Sequence, residues 1–201
     1  MHTRLYVVRH GQTQFNIEGK RQGHLDSPLT GLGRKQAEAV RDWFKEQEIQ
    51  LDKAYTSDLG RAVDTCRIIT EDRIPAYATS QLREVSFGKM DGTRIPFPGI
   101  KEWEAGAAHE YGGETYLEAW ERTIRCLLQI AQANPGQNVL VVAHSALMVM
   151  MDSFLDTLNG YEHPEGLSNG TVLKILFSSG RLWLEDCYRP ADGVKTETRR
   201  V

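Results

Sequence analysis

Two short runs of apolar residues in this chain each lead to a histidine. Residues 5–8 (Leu-Tyr-Val-Val) lead through Arg9 to His10, and residues 139–143 (Val-Leu-Val-Val-Ala) lead directly to His144. Both runs contain β-branched residues, which predicts buried strands of an open α/β sheet. Ligands bind such sheets outside the carboxyl ends of the strands, so both imidazoles are expected at a binding crevice.

The remainder of the chain alternates between strand and helix patterns. Further strands are expected at residues 53–57, 75–79, 171–177 and 182–188, and helices at 31–48, after Ser57, at 114–134 and at 144–158. This alternation predicts a three-layer α/β/α sandwich with a mostly parallel central sheet. The last two strands are expected to form a hairpin at the sheet edge. Residues 1–201 are expected to form a single domain, because no linker divides them.

The composition limits which binding partners and which cellular compartment are expected. The net charge is −3 and the basic residues are scattered, so neither nucleic acid nor a membrane surface is an expected partner. Cys66, Cys126 and Cys187 lack CxxC spacing, which argues against a zinc site and favours a reducing, cytoplasmic compartment. Neither a signal peptide nor a membrane-spanning segment is expected. The oligomeric state is not readable, and a homodimer is an open alternative.

The surroundings of His10 favour a ligand site. A histidine beside an apolar run is usually a packed, hydrogen-bonded core residue. Here Arg9 supplies a cation, Gly11 permits close approach of the backbone, and Asn16 offers a short polar side chain. Two strand-end histidines with arginines nearby therefore indicate a phosphate site.

Arg61 lies in the predicted first turn of the helix that Ser57 is expected to cap. A cation there opposes the helix dipole, at a cost of about 0.3–1 kcal/mol unless an anion is present. One interpretation is a surface ion pair with Asp58 or Asp64. The other is that Arg61 and the helix N-terminus together hold a phosphate, and the helix that opens at Ser145 offers a second such end.

A series of short motifs follows in order along most of the chain. It comprises Arg9-His10-Gly11-Gln12-Thr13, Asn16, Arg21-Gln22-Gly23, Ser27-Pro28-Leu29-Thr30, Gly33-Arg34, Gln36-Ala37, Ser57-Asp58-Leu59, Arg61-Ala62, Thr65, Leu82-Arg83-Glu84, Phe87-Gly88, Gly113-Glu114 and Ala143-His144. The Arg-His-Gly triplet alone is a weak signal, but the ordered set is specific. It resembles the histidine phosphatase superfamily, in its phosphoglycerate-mutase-like branch. The resemblance implies a phosphoglycerate-mutase-like fold.

The resemblance also implies roles for individual residues. His10 is the expected nucleophile, which becomes transiently phosphorylated, and Glu84 is the expected general acid that later activates water. Arg9, Arg61 and His144 complete the expected catalytic set. Phosphate-binding or substrate-binding roles are implied for Asn16, Arg21, Gln22, Gly23, Ser57 and Ser145. Cations hold the phosphate oxygens in this scheme, so neither a metal nor a cofactor is expected.

Several of these roles have alternatives. Glu84 also fits an exposed carboxylate paired with Arg83, and the residues at the mouth also fit loop or capping roles. His10 must be neutral to attack, and the flanking arginines together with a protonated His144 are expected to lower its pKa. Whether Glu84 keeps a proton is open, because a bound dianion favours protonation and nearby arginines oppose it.

Three positions depart from the family pattern. Ser145 stands where glycine is more usual, and would add a hydroxyl donor to the phosphate. Cys66 replaces a usual alanine, and Met90-Asp91-Gly92 replaces a usual Trp-Glu-Gly. These last two changes are interpreted as differences in packing.

Hydrolysis and phosphoryl transfer remain as alternative reactions. The family's mutases carry a long basic insertion between the acid and the second histidine, whereas residues 85–143 are shorter and lack an Arg-Arg pair. Arg122 and Arg125 are interpreted as solvated helix residues, and the aromatic-rich residues 87–116 as a lid-like insertion or a packed loop. We predict a phosphatase for small phosphorylated metabolites. A 2,3-bisphosphoglycerate-dependent phosphoglycerate mutase is the alternative, and a sugar-bisphosphate or nucleotide phosphatase would share the same catalytic residues.

Overall fold

The computed structural model describes residues 2–158 and 160–195. Within them one sheet contains β1 (Thr3–Arg9), β2 (Lys53–Ser57), β3 (Ala76–Thr79), β4 (Asn138–Ala143), β5 (Asp156–Thr157), β6 (Val172–Ser178) and β7 (Arg181–Tyr188). The strand order is β3-β2-β4-β1-β6-β7-β5. Among these strands β6 alone is antiparallel to its neighbours, so the mostly parallel sheet is confirmed.

Helices connect the strands. They are α1 (Gln14–Ile17), α2 (Gly31–Glu46), α3 (Gly60–Thr70), α4 (Ile100–Glu102), α5 (Ala108–Glu110), α6 (Tyr116–Ala133) and α7 (Ser145–Phe154). Short 3₁₀ turns occur at Ser80–Leu82 and Gly88–Met90, and a π-helical turn at Trp103–Ala107. In the described part of the chain, no helix combines the length and the apolar character that crossing a membrane requires.

The helices form two layers, one on each face of the sheet. Leu5 and Val7 of β1 belong to a buried cluster that also contains apolar side chains of α6 and α7. Tyr6 and Val8 belong to a second cluster, together with side chains of α2 and α3. Successive strand residues point to opposite faces, so the apolar run 5–8 fills both clusters. The predicted α/β sandwich is confirmed.

The expected capping role of Ser57 is wrong. Helix α3 begins at Gly60, with Leu59 as its N-cap residue, and the Ser57 hydroxyl accepts only from the Leu59 amide at 3.3 Å. The carboxylate of Asp26 accepts from the Arg61 amide at 3.3 Å instead. A residue distant in sequence therefore satisfies the first turn of α3.

The predicted end of the last helix is also wrong. Helix α7 ends at Phe154 rather than near residue 158, because Asp156 and Thr157 pair in parallel with β7 as the short strand β5. This pairing places β5 at the sheet edge. The β6–β7 hairpin is confirmed as a hairpin, but β5 and β1 flank it on its two sides.

Gly11 and Gly33 lie in close contact where the loop after His10 packs against the start of α2. A Cβ atom on Gly33 would lie 2.0 Å from the Gln12 carbonyl oxygen, whereas a Cβ on Gly31 would meet no atom within 4 Å. We expect Gly33→Ala to lower the free energy of unfolding by about 1–3 kcal/mol, because backbone must move. Gly31→Ala in the same helix is the control, expected to change it by less than about 1 kcal/mol. Denaturant unfolding measures the free energy of unfolding of both variants. Equal values would contradict the conclusion that the backbone packs closely against Gly33.

Candidate active site

Four neighbouring strands bring the predicted catalytic residues to one edge of the sheet. Arg9 of β1 lies opposite Ala143 of β4 in a parallel pair, so His10 and His144 emerge side by side. Their ring centroids are 5.2 Å apart. Arg61 follows β2 and Glu84 follows β3, and these strands continue the same parallel array.

A cavity of about 180 Å³ lies at this edge. Nine of the predicted residues line it, namely Arg9, His10, Asn16, Arg21, Gln22, Gly23, Arg61, Glu84 and Ser145. His144 is completely buried against the His10 ring. Ser57 is not brought to the cavity; it is buried beneath the start of α3. Phe87, which belongs to the segment interpreted above as a lid or a packed loop, also lines the cavity, and so does Lys20, which was not predicted to do so.

The His10 ring is held in a defined tautomer. Its Nδ1 lies 2.8 Å from the Gly11 carbonyl oxygen, which can only accept, so Nδ1 carries the proton and Nε2 a lone pair. The side-chain amide of Asn169 donates to the His10 carbonyl at 2.8 Å and fixes the main chain. Burial, then the charges of Arg61 and Arg9, holds the pKa of His10 well below its usual value. The ring is therefore neutral and has a free nitrogen.

His144 differs from the expectation of a protonated ring. Burial first, and then the charge of Arg61, holds the pKa of His144 well below its usual value. In the unliganded protein it is therefore neutral and adds no positive charge beside His10. The expected low pKa of His10 stands, but its main cause is burial.

The Arg61 guanidinium is completely buried and held by carbonyl and carboxylate oxygens. It donates to Leu25 and Gly23 carbonyls, each at 2.8 Å, and to Asp26 at 3.1 Å. The interpretation as a surface pair with Asp58 or Asp64 is wrong, since Asp58 pairs with Arg83 at 2.7 Å. Because Asp26 also accepts from the Arg61 amide in the first turn of α3, the guanidinium rather than the helix end faces the cavity.

Glu84 is neither exposed nor paired with Arg83. Its carboxyl group accepts from the Val85 amide at 3.0 Å and from the Ala146 amide, in the first turn of α7, at 3.2 Å. Burial raises the pKa of Glu84, and this outweighs the opposing effects of the two amides and of Arg61 and Arg9. The carboxyl group therefore holds its proton to a higher pH than an exposed glutamate does.

Arg21, which lines the cavity, packs against two aromatic side chains of residues 87–97. Its guanidinium carbon lies 5.2 Å from the ring centroid of Phe87 and 5.3 Å from that of Phe97. It also donates to the Ile95 carbonyl at 3.0 Å. Phe87 belongs to the cavity wall, so the segment contributes an aromatic surface there.

Asp91 does more than fill space, contrary to the packing interpretation. Its carboxylate accepts from the main-chain amides of His24 and Phe87, each at 3.0 Å. A Cβ atom on Gly23 would lie 1.8 Å from this carboxylate, so the chain before His24 packs directly on it. Asp91 therefore links the loop that contains Gly23 to the segment that contains Phe87.

Four of the eight buried side-chain nitrogen and oxygen atoms that lack a hydrogen-bond partner in the described part of the chain belong to this site. These four are Nε of Arg9, Nε of Arg61 and both ring nitrogens of His144. Arg9 otherwise donates to the Leu167 carbonyl. Buried donors are normally satisfied, since an unpaired one costs about 1–3 kcal/mol. A bound oxyanion would supply acceptors for the two arginine Nε–H groups and for the one ring nitrogen of neutral His144 that carries a proton.

The sequence analysis missed two residues of the site, Lys20 in the cavity lining and Asp26 on the Arg61 guanidinium. Lys20 directly precedes the predicted Arg21, so the polar run from residue 20 to residue 23 was a readable signal. Asp26, which holds Arg61, carried no such signal because the two residues are far apart in sequence.

Comparisons with known proteins identify a family and several relatives that this chain resembles. The family model of the histidine phosphatase superfamily (branch 1) matches residues 5–188. The metal-independent phosphoserine phosphatase of Arabidopsis thaliana is 31% identical over 157 residues, 73% of this chain and 66% of that protein. The 2,3-bisphosphoglycerate-dependent phosphoglycerate mutase of Methylorubrum populi is 29% identical over 167 residues, 74% of this chain and 78% of that protein. The solved structure of YhfR from Bacillus stearothermophilus superposes with a TM-score of 0.76 at 29% identity, covering 90% of this chain and 95% of that one.

Proposed function

We propose, because this chain belongs to the histidine phosphatase superfamily, that it hydrolyses small phosphate monoesters through a phosphohistidine on His10. The observation that carries the proposal is the group of unpartnered buried nitrogens on Arg9, Arg61 and His144. The Nε–H groups of both arginines, and the single N–H of the neutral His144 ring beside His10, match the acceptor oxygens of a phosphoryl group.

In the first step, Nε2 of His10 attacks phosphorus and the bond from phosphorus to the leaving oxygen breaks. The proton of Glu84 passes to that oxygen, so that an alcohol leaves. The phosphorylated ring gains positive charge, which the hydrogen bond from Nδ1 to the Gly11 carbonyl stabilises. Arg9 and Arg61 stabilise the negative charge on the phosphoryl oxygens.

In the second step, the Glu84 carboxylate takes a proton from water as the water oxygen attacks phosphorus. The bond between phosphorus and Nε2 breaks, which releases inorganic phosphate and restores neutral His10 and protonated Glu84. In this scheme Arg9 and Arg61 supply the positive charge that stabilises the phosphoryl oxygens, so we propose a reaction without a metal ion or cofactor. The Arabidopsis relative carries the name of a metal-independent phosphatase.

Hydrolysis is favoured over phosphoryl transfer by the residues that line the mouth. Of residues 85–143, Phe87 lines the cavity, and none of the basic side chains in that range does. Arg122 is bound to Glu114, and Arg125 is exposed and donates to the Glu121 carbonyl. The interpretation of Arg122 as solvated is therefore wrong. The Methylorubrum relative named as a mutase keeps phosphoglycerate interconversion as the second candidate.

One pair of assays separates the two reactions. We expect release of inorganic phosphate from p-nitrophenyl phosphate in the presence of a chelator. We expect no conversion of 3-phosphoglycerate to 2-phosphoglycerate, with or without 2,3-bisphosphoglycerate. Efficient interconversion that depends on the bisphosphate would instead assign the protein as a mutase. If phosphate release is observed as expected, a screen of phosphorylated metabolites would rank the substrates.

We also propose that the protein acts in the cytoplasm. Cys66, Cys126 and Cys187 are all free thiols, and the first two are buried. Burial raises the pKa of Cys66 to about 12 and that of Cys187 to about 11, so neither is a reactive thiolate at neutral pH. Three unpaired thiols fit a reducing compartment.

A further inference from the structure

The main chain of Glu84 is held by two side chains from distant parts of the sequence. Its carbonyl oxygen accepts from Nε2 of His24 and from Nη2 of Arg122, each at 2.9 Å. His24 belongs to the loop between α1 and α2, and Arg122 to the second turn of α6. A carbonyl oxygen has two lone pairs, so both acceptor positions on Glu84 are occupied.

Glu114 orients the Arg122 side chain. Its two carboxylate oxygens lie 2.6 Å from Nη2 and 3.0 Å from Nε of Arg122, which is a forked ion pair. The same carboxylate accepts from the Ser86 amide at 2.9 Å. Only 15% of the Arg122 side chain and 19% of the Glu114 side chain are exposed, so solvent screens this pair weakly.

The Arg122–Glu114 pair therefore binds the main chain on both sides of Glu84. Nη1 of Arg122 donates to the Gln81 carbonyl at 2.9 Å, before Glu84, and Glu114 holds the Ser86 amide after it. At the other end of the residue, the Glu84 carboxyl group is fixed by the Val85 and Ala146 amides. Neither His24, Glu114 nor Arg122 lines the cavity.

We infer that His24, Glu114 and Arg122 are positioning residues, which aim the carboxyl group of Glu84 at the leaving oxygen by holding its main chain. This inference rests on the proposed function, since it assumes that Glu84 acts as general acid. A displacement of about 1 Å in a reacting group can lower a rate by about 10²-fold. Loss of one of the hydrogen bonds to the Glu84 main chain should therefore impair proton transfer from its carboxyl group, while His10, Arg9 and Arg61 stay in place.

The test compares leaving groups through kcat/KM, which reports the step that breaks the bond to the leaving oxygen. An alkyl phosphate such as glycerol phosphate needs a proton on its leaving oxygen, whereas p-nitrophenolate leaves without one. We expect Arg122→Met to lower kcat/KM for the alkyl ester about tenfold or more beyond its effect on p-nitrophenyl phosphate. Arg125→Met, an exposed arginine three residues along the same helix, is the control and should change neither value.

A second variant keeps the test decisive if Arg122→Met does not fold. His24 is about one-third exposed, so His24→Leu removes the other donor at a tolerant position. Both variants are checked by circular dichroism and thermal unfolding. Selective loss with the alkyl ester supports the inference, and an equal loss with both esters, or no loss, overturns it. If His10→Ala keeps its activity, the proposed function itself fails, independently of this result.

Discussion

Replacing His10 with alanine is expected to abolish phosphate release, lowering kcat by about 10⁴-fold or more. The physical reason is that Nε2 of His10 is the free nitrogen of a neutral ring held by the Gly11 carbonyl. Removal of the ring leaves the arginines able to bind phosphate but without an acceptor for the phosphoryl group. Release of phosphate from p-nitrophenyl phosphate measures the loss.

A matched control is His163→Ala. His163 is 62% exposed, contacts Asp152, and does not line the cavity, so its removal should leave turnover unchanged. Rapid acid-free quenching of the native enzyme with radiolabelled substrate should trap label on protein, and the His10→Ala variant should trap none. Label on the variant, or turnover similar to that of the native enzyme, would show that another residue is the nucleophile.

The positions of His10 and His144 at one edge of the sheet were predictable because strand patterns place each of them at the end of a parallel strand. Apolar runs before each histidine marked β1 and β4, and parallel pairing of these strands then places their carboxyl ends side by side. The strand predicted at residues 53–57 coincides with β2 as observed, from Lys53 to Ser57. Local patterns of this kind determine which residues reach the edge of the sheet.

Details that depend on tertiary partners were not predictable. The capping of α3 failed at Ser57 because the chain runs on through two residues before the helix begins, and Asp26 reaches in from another loop. Strand β5 was missed because a two-residue strand carries no pattern and exists through its pairing with β7. Arg122 looked solvated because its partner Glu114 lies outside the helix, where helical periodicity gives no information.

The roles of the site residues were inferred from the family resemblance. The structure adds the physical reasons for their protonation states, which a sequence motif does not contain. A motif gives Glu84 as an acid, but whether it keeps a proton depends on a balance of burial against nearby charge. Here burial outweighs two amide donors and two arginines, so the pKa of Glu84 is raised. The same burial lowers the pKa of both histidines, which separates the acid from the nucleophile at one site.

Replacing Glu84 with glutamine is expected to lower kcat/KM for an alkyl phosphate by about 10²–10⁴-fold, the usual contribution of general acid catalysis. The loss with p-nitrophenyl phosphate should be much smaller, because that leaving group needs no proton. Glu110→Gln, at an exposed position in α5, is the control and should behave as the native enzyme. Equal losses with the two esters would count against Glu84 as the acid.

The pH dependence gives the same assignment an independent test. The active form of the acid is the protonated one, so kcat/KM for the alkyl ester should fall as pH rises through the pKa of Glu84. Because burial raises that pKa, the fall should occur above the range in which an exposed glutamate loses its proton. Glutamine cannot lose a proton in this range, so the Glu84→Gln variant should lack this fall. A profile with the same fall in the variant would mean that a different group supplies the proton, and that the raised pKa of Glu84 is a consequence of its burial with no part in the chemistry.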